Sequence, residues 1–292
     1  MEFILSGFIL IAFVVSLSSL GYFFLNDDST LNNSKSLHLL FGLSVLLLFS
    51  HFSFYLFKLN SLEILIIFLI FSFISIILNL INKKDFLKFI KLIVFFSVPV
   101  VSLFLTLAYF YGEQFYVFRG NKWDWFAFVT STFYLNNLDN LDFLNLKNNF
   151  NWNNFENFDP RNHSAYHNNV ALWLLKKVNI YLLGSYFINI NFNSAFLNLY
   201  LFKIFSLVLI NISVFDFIKK YVNEKKISTV FFLSFVFVCS FWTLYIVEAD
   251  YYRQLISFSF FIYLICYLDD FFLDFQNKNY KKILISMFFM YS

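Results

Sequence analysis

The chain has 292 residues, of which 60% are hydrophobic, 24% aromatic and only 13% charged, with 48 Phe and a formal net charge of +3; mean hydropathy is +0.69. An ordinary globular domain is about 25% charged, so this chain lacks the polar residues to cover a water-facing exterior, and a soluble fold is excluded in favour of an integral membrane protein. The charge excess is too small to imply a nucleic-acid partner, and the abundance of Phe, Ile, Leu, Asn, Lys and Tyr fits an AT-rich coding bias rather than an aromatic binding device.

A hydrocarbon core is crossed by about 20 apolar residues. Runs of that order occur at Phe3–Leu25, Leu37–Phe57, Leu62–Ile81, Phe89–Tyr111, Ala195–Phe217, Thr229–Val247 and Tyr252–Phe272, and an eighth opens at Ile283. The expected fold is therefore all-α: one transmembrane domain, a polytopic bundle of seven or eight helices with a long outer loop carrying juxtamembrane amphipathic helices. No basic residue precedes the first run and no small-residue cleavage site follows it, which makes it a retained anchor rather than a signal peptide. The eighth run stops at Ser292, just after Lys281 and Lys282 and before it could span, so the sequence reads as the N-terminal part of a longer chain. Cys239 and Cys266 each sit inside an apolar run, the pattern of buried thiols rather than of a bridge or a metal site.

Lysines cluster between the runs: Lys83, Lys84, Lys88 and Lys91 in one connection, Lys219, Lys220, Lys225 and Lys226 in another, Lys278, Lys281 and Lys282 in a third. Threading seven helices puts all these clusters on one side, which the positive-inside rule makes cytoplasmic. The N-terminus, the turn at 58–61, the segment 112–194 and the turn at 248–253 then face outward. In a bacterial inner membrane that outward face is the periplasm.

The segment Gly112–Ser194 is 83 residues long, far beyond what joining two helices requires, and such loops are usually functional or disordered. It opens Gly112-Glu113-Gln114-Phe115-Tyr116-Val117-Phe118-Arg119-Gly120-Asn121-Lys122-Trp123-Asp124-Trp125, charges interleaved with aromatics, followed by an apolar stretch over 126–135 too short to span. An Asn-rich, acidic stretch over 136–162 reads as a solvated loop. Over 165–190 apolar positions return, and Val170, Ala171, Leu174, Val178 and Tyr181 share a helical face opposite Asn169, Lys176 and Asn179, the pattern of an interfacial helix lying on the outer leaflet.

Acidic residues are costly near hydrocarbon and each needs a reason. Asp124, between two tryptophans, is either a helix cap at a water boundary or a functional carboxylate. Glu248 and Asp250, with Arg253, fill a turn of a few residues between long apolar runs, either capping the last helix or forming an acidic pair at the outer mouth of the bundle. His163 and His167 have helical i, i+4 spacing but no third ligand of suitable spacing. His38 and His51 lie in the second run, where a lone histidine is usually hydrogen-bonded inside the bundle. No phosphate-cradling Gly loop, zinc pattern or nucleophile elbow occurs in the sequence.

One span, a long outer loop with an early aspartate, two more spans and then the turn Glu248-Ala249-Asp250 resemble the front half of GT-C membrane glycosyltransferases, over roughly residues 89–272. Three additional helices, residues 1–88, precede that region. The resemblance implies transfer of a sugar from a polyprenyl-phosphate donor to a glycan, lipid or protein acceptor on the outer face of the membrane. In that family an aspartate of the first outer loop is the usual base, and Asp124 is the matching position. A D-x-D or E-x-D motif of the second outer loop corresponds to Glu248 and Asp250, a pair of hard oxygen ligands suited to Mg²⁺ or Mn²⁺; many relatives need no metal. Arg253, with Arg119 and Lys122, would hold the donor phosphate, and an apolar groove among the spans would hold the polyprenyl tail. A transporter, flippase or polysaccharide polymerase, and a structural subunit of a membrane complex, are the competing readings.

Overall fold

The computed structural model describes residues 2–25, 35–57, 59–83, 85–111, 182–189, 195–222, 226–240, 243 and 252–276. These residues are almost entirely helical, and no strand occurs among them. We number the helices α1 (Glu2–Leu25), α2 (Lys35–Leu56), α3 (Ser61–Asn82), α4 (Phe86–Tyr111), α5 (182–189), α6 (Ala195–Tyr221), α7 (Ile227–Val238) and α8 (Tyr252–Gln276). The physical reason is the solvent: in hydrocarbon every backbone N–H and C=O must be satisfied internally, and a helix does this within one segment. Among the described residues five helices are long and apolar enough to span, over Phe3–Leu25, Lys35–Phe54, Ser61–Asn82, Phe86–Tyr111 and Tyr200–Tyr221. This is the expected helix bundle of an integral membrane protein.

Helix α6 is its centre, packed against α1, α2, α4, α7 and α8 and buried along most of its length. Helices α3, α4 and α7 turn large apolar side chains outward, among them Ile70, Phe73, Ile81, Phe95 and Phe232. Such a continuous apolar exterior is tenable only against lipid tails. Charged residues at the helix ends have local duties. Glu63 closes a capping box at the start of α3: its backbone N–H donates to Asn60 Oδ1 at 2.9 Å, and its carboxylate accepts from the Asn60 N–H at 2.8 Å.

The helices thread up and down. Phe3 meets Tyr109 edge-on at 5.7 Å, while at the other end of the same pair Tyr22 packs on Phe86 and Phe89 at 5.2 and 4.7 Å. The start of α2 joins the end of α6 through Asp216, which accepts from the Ser36 N–H at 2.6 Å and the Ser36 hydroxyl at 2.7 Å. Lys35, Lys83, Lys88, Lys219, Lys220 and Lys226 thus belong to the same end of the bundle, as the loop charges required. We call it the lysine-rich end.

Between the helices, polar side chains form seams. Asn79 of α3 donates to the Ser19 carbonyl at 3.0 Å and lies 3.3 Å from the Ser19 hydroxyl, which is 3.0 Å from Ser75 Oγ. Asn211 of α6 donates to the Phe96 carbonyl at 3.0 Å. That carbonyl is next to the one, on Phe95, that Pro99 leaves without its helical donor, and a neighbouring helix that supplies a donor beside a proline is how such breaks are tolerated in membranes.

Two expectations about the helices need correction. The run Thr229–Val247 is not one continuous helix: α7 stops at Val238, with Cys239 at φ −82°, ψ 3°. The Thr243 hydroxyl then donates to the Phe237 carbonyl at 3.1 Å and lies 3.2 Å from Ser240 Oγ. Serine and threonine offered the backbone side-chain partners in place of the helical ladder. The second concerns 165–190. Residues 182–189 do not lie on the leaflet; they are buried inside the bundle as α5, with Leu182, Leu183, Ser185 and Tyr186 fully buried. Leu182-Leu183-Gly184-Ser185-Tyr186-Phe187-Ile188 has no charge to keep at the interface, so nothing opposed its burial on all sides. Residues 165–181 lie outside the described residues.

Candidate functional site: a lipid-facing groove at the root of the long loop

Toward the end opposite the lysines, helices α1 and α4 flank a groove of about 520 Å³. Phe3, Gly7, Ile11 and Phe8 line it from α1, and Val98, Val101, Ser102, Leu105, Thr106 and Tyr109 from α4. Its floor is Gly7. A Cβ there would sit 3.0 Å from Leu105 Cδ1 and 3.4 Å from Val101 Cγ1, so the missing side chain is what lets α4 come close. The walls are apolar apart from the Ser102 and Thr106 hydroxyls and the Tyr109 phenol. From Val98 to Tyr109 the groove follows α4 for about 16 Å, at 1.5 Å per residue, which suits an acyl or isoprenoid chain lying along the helix.

The groove ends where the loop begins. Helix α4 finishes at Tyr111, and the chain that continues from it carries Arg119, Lys122 and Asp124. The far end of the same loop is anchored by α5. Phe187 packs edge-on against Phe13 at 5.2 Å and at a tilt against Phe205 at 5.6 Å. The Tyr186 hydroxyl donates to Ser50 Oγ at 2.5 Å, Ser50 donates onward to the Leu46 carbonyl at 2.6 Å, and Asn189 donates to Ser61 Oγ at 3.0 Å. Ser61 opens α3, whereas Phe13 faces Phe68 at 6.2 Å, seven residues further on and so about 10 Å deeper. The returning end of the loop therefore plugs the outer half of the bundle between α1, α2 and α6.

Of the residues singled out from sequence, Arg253 falls in a described helix, in the first turn of α8. Asp124, Arg119, Lys122, Glu248 and Asp250 lie outside the described residues, as do His163 and His167. Among the described residues no three His, Cys, Asp or Glu side chains come together as a metal-binding group. Cys239 and Cys266 are both free thiols. His51 is exposed on α2 and set edge-on to Phe52 at 6.0 Å, not inside the bundle as expected, whereas His38 is fully buried.

One feature had no counterpart in the reading of the sequence, and a second had only part of one. Asp216, 9% exposed, is the carboxylate at the α2 N-terminus, where the orphan N–H groups and the positive end of the helix dipole favour an anion; no short-range motif links it to Ser36, 180 residues away. Lys203 sits half-buried in α6, eight residues past its start and so about 12 Å along the helix. Its charge inside a span was legible in the sequence; its depth in the assembled bundle was not.

Comparison with known protein families, curated proteins and solved structures gave no match.

Proposed function

We propose that this protein is a membrane glycosyltransferase of the GT-C type, transferring a sugar from a polyprenyl-phosphate donor to a glycan, lipid or protein acceptor on the outer face, the periplasmic face of a bacterial inner membrane. One observation carries the reading: an apolar, lipid-open groove that ends at Tyr109, three residues before the loop bearing Arg119, Lys122 and Asp124 begins at Gly112. A polyprenyl phosphate needs this combination, an apolar track for its tail running to a polar headgroup region at the membrane surface.

In the proposed reaction an acceptor O–H or N–H attacks the anomeric carbon, and the bond from that carbon to the phosphate oxygen breaks. The acceptor's proton passes to the Asp124 carboxylate as base, and the bonding pair leaves with the lipid phosphate. Arg253, with Arg119 and Lys122, stabilises the departing phosphate through charge-assisted hydrogen bonds. Glu248 and Asp250 would hold Mg²⁺ or Mn²⁺ against it.

The test is transfer of radiolabelled sugar from polyprenyl phosphate by the full-length protein in proteoliposomes. Asp124→Asn should abolish transfer with expression and insertion unchanged. Thr106→Trp, which fills the groove from an exposed position, should raise the KM for the donor with little effect on kcat. An active Asp124→Asn protein would remove Asp124 from the mechanism, and an unchanged KM in Thr106→Trp would remove the groove. The helix broken at Cys239 and the inserted α5 favour a transporter as the second reading, since transporter sites are built at interrupted helices; solute flux without sugar transfer would establish it.

A further inference from the structure

Helix α4 is two pieces joined at Pro99. Proline has no N–H to donate, so the Phe95 carbonyl loses its helical partner and one rung of the ladder is missing between residues 95 and 99. The inner piece is fixed. Phe96 packs on Phe215 at 4.3 Å and on Phe231 at 5.5 Å, its carbonyl accepts from Asn211 at 3.0 Å, and further in Phe86 and Phe89 pack on Tyr22. The outer piece forms the α4 wall of the groove: Val101, Ser102, Leu105, Thr106 and Tyr109 lie beyond Pro99, and of the α4 lining residues Val98 alone precedes it. The break in the helix therefore coincides with the inner edge of the wall.

The outer piece packs against both α1 and α6, which also touch each other, so it sits in the notch between them and a movement out of that notch leaves both at once and widens the groove. Toward α1 its contacts are apolar, with Phe3 edge-on to Tyr109 and Leu105 and Val101 close over Gly7. Lipid tails replace such contacts at little loss, because no hydrophobic force holds helices together in a membrane. Toward α6 the Tyr200 hydroxyl donates to the Phe104 carbonyl at 3.1 Å. Lipid offers nothing in place of that bond: Tyr200 is 4% exposed, and swinging α4 away would take this acceptor from a hydroxyl surrounded by hydrocarbon, which is costly. A fixed segment, a proline break after it, and a polar tie five residues further on are the parts of a hinge and its latch.

We propose that α4 beyond Pro99 is a hinged side wall, latched by Tyr200, that swings out of the notch between α1 and α6 and admits a lipid tail to the groove from the side. The device does not depend on the reaction proposed above. Pro99 to Tyr111 is a lever of about 18 Å, so a change of about 20° at the proline, the size of an ordinary sharp kink, moves its tip about 6 Å. Double electron–electron resonance between spin labels reads this in the full-length protein carrying Cys239→Ser and Cys266→Ala, reconstituted in lipid. The reporting pair is Leu62→Cys with Phe110→Cys, at the outer ends of α3 and α4, and the control pair is Leu62→Cys with Leu87→Cys on the inner piece; the three positions are 48%, 75% and 57% exposed. Tyr200→Phe removes the hydroxyl but keeps the buried ring and so the fold. It should give the reporting pair a second distance about 6 Å from the first and leave the control pair unchanged. Adding Pro99→Ala, which restores the missing rung with the best helix former, should return the reporting pair to one distance. An unchanged reporting pair in Tyr200→Phe overturns the proposal. So does a second distance that survives Pro99→Ala, which would put the motion elsewhere, and so does a matching shift in the control pair, which would make α4 a single rod.

Discussion

Replacing Gly21 with alanine puts a methyl group where a backbone oxygen already is. A Cβ at position 21 would lie 1.8 Å from the His38 carbonyl oxygen, and one at Gly42 would lie 1.9 Å from that of Leu17. Ordinary carbon-to-oxygen contacts between packed helices are about 3.3–3.6 Å, so α1 and α2 must move apart by roughly 1.5 Å at their crossing. A gap of even ~0.5–1 Å forfeits a quarter to a half of the dispersion well, and in a membrane no hydrophobic force between helices makes up the difference. Neither obstacle is the end of a flexible side chain that could swing away. Over-packing a tight core costs about 1–3 kcal/mol, and we expect the upper end, about 3 kcal/mol, for either single substitution. At about 2–4 °C per kcal/mol this lowers the unfolding temperature by roughly 6–12 °C. Leu17 and Gly21 are one turn apart on α1, and His38 and Gly42 one turn apart on α2, so a single separation relieves both clashes. The Gly21→Ala/Gly42→Ala protein should therefore lose clearly less than the sum of the two. Gly7→Ala, which meets the terminal methyls of Leu105 and Val101, should cost less than about 1 kcal/mol. The assay is thermal unfolding in detergent of proteins carrying Cys239→Ser, read by a thiol-reactive dye that reaches buried Cys266 only as the bundle opens. A Gly21→Ala protein within about 2 °C of the parent, or a strictly additive double variant, would refute the close α1–α2 crossing.

The remaining expectations concern buried polar links. Asp216→Ala removes the acceptor of two hydrogen bonds from Ser36 and should destabilise by about 1.5–3 kcal/mol, the range for bonds to a charged group, whereas Ser36→Ala, which keeps the N–H donor, should lose about half of that; equal losses would show that the hydroxyl alone matters. The Tyr186–Ser50–Leu46 relay is directional. Tyr186→Phe leaves Ser50 bonded to Leu46 and should cost about 1 kcal/mol, while Ser50→Ala strands a buried phenol and should cost about 1–3 kcal/mol; the reverse order in the same unfolding assay would contradict the relay.

Much of the architecture was legible because a bilayer imposes a single length scale and one polarity rule. Apolar runs of the right length gave α1 to α4, α6 and the start of α8 to within a few residues, and the lysine clusters gave their common end, since neither depends on which helix touches which. Glu63 was visible as a charge at a helix boundary, and the structure supplied its duty as the reciprocal half of a cap. Sequence also supplied the candidate chemistry, Asp124 and the Glu248–Asp250 turn, from residue type and order alone. Tertiary structure decided everything that depends on long-range packing. That 182–189 sinks into the bundle follows from the space α1, α2 and α6 leave, which no helical periodicity encodes. That the run from Thr229 breaks after Val238 follows from Ser240 and Thr243 bonding to each other and to the backbone, a competition apolarity does not reveal. The trans cap between Asp216 and Ser36, the Gly21 and Gly42 crossing and the groove over Gly7 all join segments far apart in the chain. Hydropathy fixes which stretches enter the membrane, but lipid is equally good solvent for every apolar face, so only side-chain fit and hydrogen bonding select the neighbours.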